Sequence, residues 1–182
     1  MKSCGGCTMC CDLVPVDSLD LKKPSFTPCK HLRDMLMVAG PGCSIYGTRP
    51  RACAVWSCVW LTSPDLPPEL RPDRSGIVID PVVDLIRVNG EEKAAAQIWA
   101  APGYEMAFND NEAVLKAIVG LLDQVPFVLW RQRGPDGLQW GRAIGLDADG
   151  RLGVGPLTKS DYNLGTEAER WARVDKLMVA RR

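Results

Sequence analysis

Eight cysteines are the residues of this sequence whose type and spacing indicate chemistry, and all lie in the first third of the 182-residue chain. They are Cys4, Cys7, Cys10, Cys11, Cys29, Cys43, Cys53 and Cys58. Cysteine thiolates bind zinc and the iron atoms of iron-sulfur clusters. Gly5 and Gly6 fill the middle of the first Cys-x2-Cys turn, which lets the second sulfur return toward the first without steric cost. The pattern therefore predicts a metal site with these eight cysteines as ligands.

Two other uses of the cysteines are possible in principle. The first is the disulfide framework of a small secreted protein, but the first residues contain no hydrophobic stretch that could act as a secretion signal. The second is burial as small apolar side chains, but the segment around Cys4 and Cys7 has little apolar periodicity. We therefore favour metal ligation, and we expect a cytoplasmic protein whose thiols stay reduced.

The number and type of sites stay open at this stage. Because Cys10 and Cys11 are adjacent, both cannot easily reach one tetrahedral ion, which suggests either two four-ligand sites or one cluster with spare thiols. The repeated x2 steps suit a cluster, while the glycine-filled Cys-x2-Cys suits a zinc knuckle. His31 is the only histidine. It is a candidate ninth ligand, although an ordinary hydrogen-bonded histidine is the commoner role.

Charge gives weaker support to the metal hypothesis. The 22 basic and 22 acidic residues balance, so the chain lacks the net positive charge expected of a nucleic-acid binder. For the same reason, acidic partners are not favoured. Residues 1–58 are nevertheless basic by three charges, from seven basic and four acidic side chains. A four-thiolate zinc site is formally dianionic and would be stabilised by nearby cations. A solvated basic surface explains the same excess equally well.

A series of motifs accompanies these cysteines. It runs Cys4-x2-Cys7-x2-Cys10-Cys11, Lys23-Pro24, Cys29-Lys30-His31-Leu32, Gly42-Cys43-Ser44-Ile45-Tyr46, Arg49-Pro50, Cys53 and Cys58-Val59-Trp60-Leu61. Over roughly residues 4–61 it resembles the CxxCxxCC cysteine-cluster family, often called YkgJ-like. That resemblance implies a zinc- or iron-chelating domain with these cysteines as ligands.

The sequence departs from the family pattern at one point. Family members often have arginine after the cysteine that follows Arg-Pro, whereas Ala54 follows Cys53 here. The resemblance therefore implies a basic contact near the site that is either absent or supplied by Arg51. Some relatives carry the cluster beside a methyl-transferring region, as flagellin lysine methylases do, but residues 75–182 show no recognisable methyl-donor site.

Cys53 and Cys58, the last two cysteines of the chain, lie in a predicted helix. Pro50 favours a turn that leads into a short helix from Ala52 to Leu61. Cys53 and Cys58 would lie about 140 degrees apart on it, so they can share a metal only if the helix is interrupted. Trp56 and Trp60, four residues apart, would share one face and either pack in the core or cover the cluster.

The chain divides into three parts by composition, and the fold class is predicted to be α+β. Residues 1–61 form an irregular cysteine-cluster domain, residues 62–74 a proline-rich extended connector, and residues 75–182 an antiparallel sheet with helices. The predicted strands cover 77–80, 85–88, 95–100, 127–132 and 138–146, with hairpin turns at Asn89-Gly90 and at residues 134–137. Asn109 with Glu112, and Thr166 with Glu169, predict the starts of two amphipathic helices.

Two classes of function follow from these observations. The first is a metal-binding protein with a structural, storage or delivery role, in which residues 75–182 act as a docking surface for a partner protein. The second is an iron-sulfur enzyme that uses an open iron position in redox or group-transfer chemistry. An exposed spare thiol at Cys10 or Cys11 would favour the enzyme. Residues 75–182 lack histidine and cysteine, and Asp80, Asp84, Asp110 and Asp123 have no acid-base or metal spacing. No apolar run is long enough to cross a membrane.

Overall fold

The computed structural model describes residues 2–33 and 42–159, and within these ranges the fold is α+β as predicted. The helices are α1 (Met9–Leu13), α2 (Arg51–Val55), α3 (Val59–Thr62), α4 (Pro72–Ser75), α5 (Ala107–Asp110) and α6 (Glu112–Leu122), with 3-10 turns at Tyr46–Thr48 and Pro68–Leu70. The strands are β1 (Val16–Asp17), β2 (Lys22–Lys23), β3 (Ile77–Val88), β4 (Glu91–Ala100), β5 (Phe127–Arg133), β6 (Gln139–Leu146), β7 (Leu152–Val154) and β8 (Thr158–Lys159). No helix in the described ranges has the length and apolar character needed to cross a bilayer.

The main sheet has the strand order β3-β4-β5-β6-β7, and β8 also pairs with β6. All of its pairs are antiparallel except β4 with β5, which are parallel. The prediction of an antiparallel sheet is therefore wrong at this one pair. Parallel neighbours need a crossover connection, and α5 and α6 lie between these two strands in the chain.

The strands predicted over 77–80 and 85–88 are one long strand, β3, with an irregularity in its pairing between Asp80 and Asp84. Pro81 follows Asp80 and cannot donate a hydrogen bond, so it is tolerated only where the ladder is interrupted. The hairpin turn that joins β3 to β4 is confirmed. Asn89 and Gly90 have φ angles of 51° and 84°, the positive values that a type I′ turn requires.

The connection between β5 and β6 is also confirmed as a hairpin around residues 134–137. The proline-rich segment 62–74 is not extended throughout, because it contains the 3-10 turn Pro68–Leu70 and the start of α4. Leu70 is buried at 3% exposure. The helix predicted from Thr166 lies outside the described residues.

One hydrophobic core contains side chains from the cysteine-bearing segments and from the sheet. Leu13, Phe26, Cys58 and Trp60 belong to the same buried cluster as the strand residues of the sheet. Phe26 lies against the indole of Trp99 on β4, with ring centroids 5.9 Å apart. The cysteine-bearing segments are therefore packed directly on the sheet.

Helix α6 begins two residues later than its predicted cap implies. The side chain of Asn111, not Asn109, accepts hydrogen bonds from the backbone N–H groups of Ala113 and Val114, at 3.0 and 3.2 Å. Val114 and Ile118 then point into the core. The predicted helical spacing of the apolar residues is right, and the predicted cap is wrong.

We expect Asn111→Ala to lower the free energy of unfolding by about 1 kcal/mol, because two N–H groups of the first turn lose their acceptor. Urea unfolding followed by circular dichroism measures this change. Asn109→Ala is the matched control, since Asn109 is exposed and its side chain bonds only to exposed Asp110. Equal losses in the two variants would contradict the assignment of the cap.

Candidate metal centre

The first four cysteines lie on a tight turn and the helix that follows it. The backbone N–H of Cys7 donates to the carbonyl of Cys4 at 2.9 Å, and Gly5 in this turn has a φ of 52°. Helix α1 then carries both Cys10 and Cys11. Successive residues leave a helix about 100 degrees apart, yet the side chains of this pair turn toward each other, because the S–H of Cys10 donates to the sulfur of Cys11.

Backbone hydrogen bonds bring the next two cysteines to Cys11. The N–H of Cys29 donates to the carbonyl of Cys11 at 3.0 Å, and the N–H of Leu32 donates to the carbonyl of Cys29 at the same distance. Leu32 also forms an antiparallel bridge with Cys43. A short chain of main-chain contacts thus joins Cys11, Cys29 and Cys43.

The helix predicted from Ala52 to Leu61 is wrong, because it is interrupted between α2 and α3. The chain is extended at Trp56, which ends α2, and again at Cys58, which caps the N-terminus of α3. Cys53 lies on α2, whereas the Cys58 side chain is buried in the core at 9% exposure. The interruption directs the two cysteines to different surroundings.

The two tryptophans beside these cysteines do not share a helix face. The Trp56 indole donates to Asp80 Oδ1 at 3.1 Å, and the Trp60 indole donates to the carbonyl of Pro67 at 3.1 Å. Both side chains belong to the core or pack against it. Their contacts are those of ordinary packing residues.

Asp80 connects the interrupted helix to the sheet. Its carboxylate accepts the indole N–H groups of Trp56 and Trp99, each at 3.1 Å, and the backbone N–H of Val82 at 2.9 Å. Burial raises the pKa of Asp80, and the three N–H donors oppose this effect. The segment between Cys53 and Cys58 is therefore held by hydrogen bonds to a buried acid on β3.

The first thiol group consists of Cys4, Cys7, Cys10 and Cys58. Burial raises the pKa of Cys58, and repulsion from Cys4 and Cys7 raises it further. The pKa of Cys10 is raised by the hydrogen bond that its S–H donates to Cys11, by burial, and by repulsion from Cys11, Cys58 and Cys7. Thiols affect one another in this way only at close range. These four side chains are therefore electrostatic neighbours.

The second thiol group consists of Cys11, Cys29, Cys43 and Cys53. Burial raises the pKa of Cys53, and repulsion from Cys11, Cys29 and Cys43 raises it further. The hydrogen bond from Cys10 lowers the pKa of Cys11. Cys53 thus faces the three cysteines whose backbones are already joined.

Three cations accompany the two thiol groups. Arg71 Nη2 donates to the carbonyl of Cys4 at 3.0 Å, and its charge lowers the pKa values of Cys4 and Cys7 against the larger effect of burial. Lys23 is only 6% exposed, and burial lowers its pKa while charge on Cys11 and Cys29 raises it. The charge of Arg49 acts on Cys4 and on Cys53.

Sequence reasoning did not place these cations beside particular cysteines. Arg51, which the family pattern suggested as the basic contact, is exposed at the start of α2. Arg71 lies in the segment predicted to be a connector, and no sequence signal placed it beside a cysteine more than 60 residues earlier. Lys23 and Arg49 were visible within the Lys23-Pro24 and Arg49-Pro50 motifs.

Backbone amides point at two of the sulfurs. The N–H groups of Met9 and Asp73 donate to the Cys7 sulfur, and those of Leu61 and Trp60 donate to the Cys58 sulfur. Each of these bonds lowers the pKa of its thiol against the effect of burial. Hydrogen bonds to sulfur favour the thiolate, which is the form that binds metals.

The chemistry of this donor set suits a thiolate-bound metal ion or cluster. Within residues 2–33 and 42–159, however, no group of three or more His, Cys, Asp or Glu side chains is placed so that it could hold a metal ion. The thiols lie in two neighbourhoods and do not form a closed coordination sphere. For His31 the backbone carbonyl accepts a hydrogen bond from Ser44 at 2.8 Å, and its role as a ligand stays a prediction.

Comparison of the chain with protein-family models, curated proteins and solved structures found no match in any of the three. The resemblance to the CxxCxxCC family therefore stays a prediction from the motifs.

We expect Arg71→Ala to weaken zinc binding by about tenfold, because it removes a cation and a hydrogen bond next to Cys4 and Cys7. Competition with a coloured zinc chelator under reducing conditions measures the affinity. Arg74→Ala is the matched control, since Arg74 is exposed on the next turn. Equal affinities for the Arg71 and Arg74 variants would show that the Arg71 charge does not support the site.

Proposed function

We propose that this is a metal-binding protein that holds zinc or an iron-sulfur cluster through its cysteine thiolates. One observation carries the proposal: eight thiols from distant parts of the chain are gathered where Arg49, Arg71, Lys23 and backbone amides favour thiolates. Thiols that merely fill a core have no need of cations and N–H donors. The residues that would hold the metal are Cys4, Cys7, Cys10, Cys11, Cys29, Cys43, Cys53 and Cys58.

The free energy of metal binding is large enough to move the cysteine side chains of the two thiol groups into one coordination sphere. Zinc binding by cysteine-rich peptides contributes about 10–16 kcal/mol. Turning a side chain away from its preferred rotamer costs about 1 kcal/mol. Rearrangement of several cysteine side chains is therefore small beside the free energy of metal binding.

The packing favours a structural role for the metal over storage or delivery. Cys58 lies in the hydrophobic core, and Cys10 packs against it. A metal at these side chains would stabilise the packing of the cysteine-bearing segments on the sheet. We place the protein in the cytoplasm, where thiols stay reduced. A partner that docks on residues 75–182 remains part of the proposal, and exposed Leu146 and Val154 are apolar side chains that it could contact.

The alternative is an iron-sulfur enzyme in which one iron is left open to substrate or cofactor. The spare thiol expected for that case would be exposed at Cys10 or Cys11. Both side chains are instead partly buried, and Cys10 packs against the core. This observation favours the metal-binding role without catalysis.

Purification of the full chain without oxygen, followed by measurement of metal, acid-labile sulfide and visible absorbance, tests the proposal. We expect stoichiometric zinc without colour, or iron with sulfide and a brown colour. Removal of the metal by a chelator should lower the free energy of unfolding. At a free metal concentration of 100 times Kd, the bound metal contributes about 2.7 kcal/mol.

The control is a variant in which Cys7 and Cys58 are both replaced by serine, which should bind less metal. Iron with sulfide would favour an iron-sulfur cluster over zinc and would be compatible with the enzyme alternative. A metal-free protein with eight reactive thiols, which gains no stability from added zinc or iron, would contradict the proposed function.

A further inference from the structure

We propose that an exposed surface of the cysteine-bearing part of the chain docks an acidic, partly apolar segment of a partner protein. The surface consists of Arg33, Tyr46, Arg49, Arg51 and Val55, and we refer to it as the arginine surface. It uses no cysteine and needs no bound metal, so it lies beyond the proposed function. It is also separate from the apolar side chains of residues 75–182 considered above.

The balanced charge of the whole chain hides an uneven distribution along it. Residues 21–64 contain six basic side chains and one acidic side chain, Asp34, which lies outside the described residues. The rest of the chain contains 16 basic and 21 acidic side chains. An acidic partner is therefore disfavoured by the chain as a whole and favoured at this segment.

Hydrogen bonds and a ring contact bring two of the arginines to one surface. The backbone N–H of Arg33 donates to the carbonyl of Gly42 at 2.8 Å. The Arg33 guanidinium donates to the carbonyl of Ser44 at 3.4 Å. Tyr46 follows two residues later, and Cζ of Arg49 lies 4.1 Å from the centroid of its ring. Contacts and short steps of the chain thus connect the two guanidinium groups.

Helix α2 extends this surface by one charge and one apolar side chain. It begins at Arg51, two residues after Arg49, and ends at Val55. Residues four apart lie on the same side of a helix. Arg51 is exposed, and Val55 is 67% exposed. The helix therefore presents a guanidinium group and an apolar side chain together.

The arginines of this surface have no carboxylate partner within the described residues. No ion pair there includes Arg33, Arg49 or Arg51. The sheet differs, because Lys159 on β8 lies 3.4 Å from a carboxylate oxygen of Asp136. Guanidinium groups bind carboxylates through two parallel hydrogen bonds. Three such groups are therefore open to carboxylates of another molecule.

The apolar members of the surface favour a protein partner. Tyr46 is 46% exposed, and Val55 is more exposed still. Tyrosine and arginine are enriched where proteins bind one another. A nucleic acid would use the arginines through its phosphates but would leave Val55 in water. An acidic segment that also carries an apolar side chain would contact both kinds of group.

Fluorescence anisotropy with labelled peptides tests the proposal on the reduced full chain. The probe is a peptide of glutamates with interspersed leucines, and its counterpart has lysine in place of each glutamate. We expect the glutamate peptide to bind at least about tenfold more tightly, with an affinity that falls as salt is raised, because exposed charges make the contacts. Equal affinities for the two peptides would overturn the proposal.

Two double variants locate the binding surface. Arg33→Glu with Arg51→Glu reverses two charges of the arginine surface and should weaken binding of the glutamate peptide by more than about tenfold. Arg74→Glu with Arg87→Glu is the matched control, since both arginines are exposed elsewhere and the net charge changes equally. Equal losses in the two double variants would show a general charge effect and overturn the assignment of the surface.

Further measurements separate the possible occupants. Val55→Ser should weaken binding of the glutamate peptide several-fold without changing its salt dependence, because only apolar contact is lost. Tighter binding of single-stranded RNA than of the glutamate peptide would overturn the choice of a protein partner. Self-association that is lost in the Arg33 and Arg51 double variant would assign the surface to a second copy of this chain instead. Metal content measured on the same samples keeps this test separate from that of the proposed function.

Discussion

The crowding of thiols at one side of a small fold is the constraint on which the rest of the arrangement depends. Partial burial raises the pKa of Cys4, Cys10, Cys53 and Cys58, and neighbouring thiols raise it further. Ionisation of several thiols together is costly unless positive charge is near. Arg49, Arg71 and Lys23 supply part of that charge, and a metal would supply the rest. This balance explains why cations from distant parts of the chain meet at the cysteines.

Hydrogen bonds and core packing link the cysteine-bearing segments to the sheet. Arg71 comes from the approach to β3, and Asp80 on β3 accepts the indole of Trp56 between the last two cysteines. The core side chains of both parts pack together. An ion pair between buried Arg131 and half-buried Asp84 lies on the same sheet beside Trp99. The sheet is therefore the rigid element that positions the otherwise irregular N-terminal segments.

Much of the sheet was predictable from local signals. Asn89-Gly90 marked the hairpin because few other residue pairs adopt positive φ angles in succession. The apolar spacing from Val114 to Leu122 marked α6. The cap at Asn111 was missed because Asn109 satisfies the same sequence pattern with Glu112. The parallel pairing of β4 and β5 was missed because strand direction depends on the crossover, which local periodicity does not encode.

For the candidate site, the sequence offered a set of ligands, which stays a prediction, and did not show the geometry around them. Cysteine spacing suggested all eight thiols as candidate ligands, and the adjacency of Cys10 and Cys11 raised the question of two sites. The interruption between α2 and α3 was not predicted, because Arg51 to Leu61 contains no proline or glycine to mark it. Arg71 was missed because its contact with Cys4 is formed only when the chain folds over more than 60 residues.

X-ray absorption at the edge of the bound metal tests the central claim most directly, because it reports the atoms bonded to the metal. The account predicts a coordination shell of four sulfur atoms at about 2.3 Å. Nitrogen or oxygen atoms in that shell, from His31, carboxylates or water, would contradict a site built from cysteine thiolates alone.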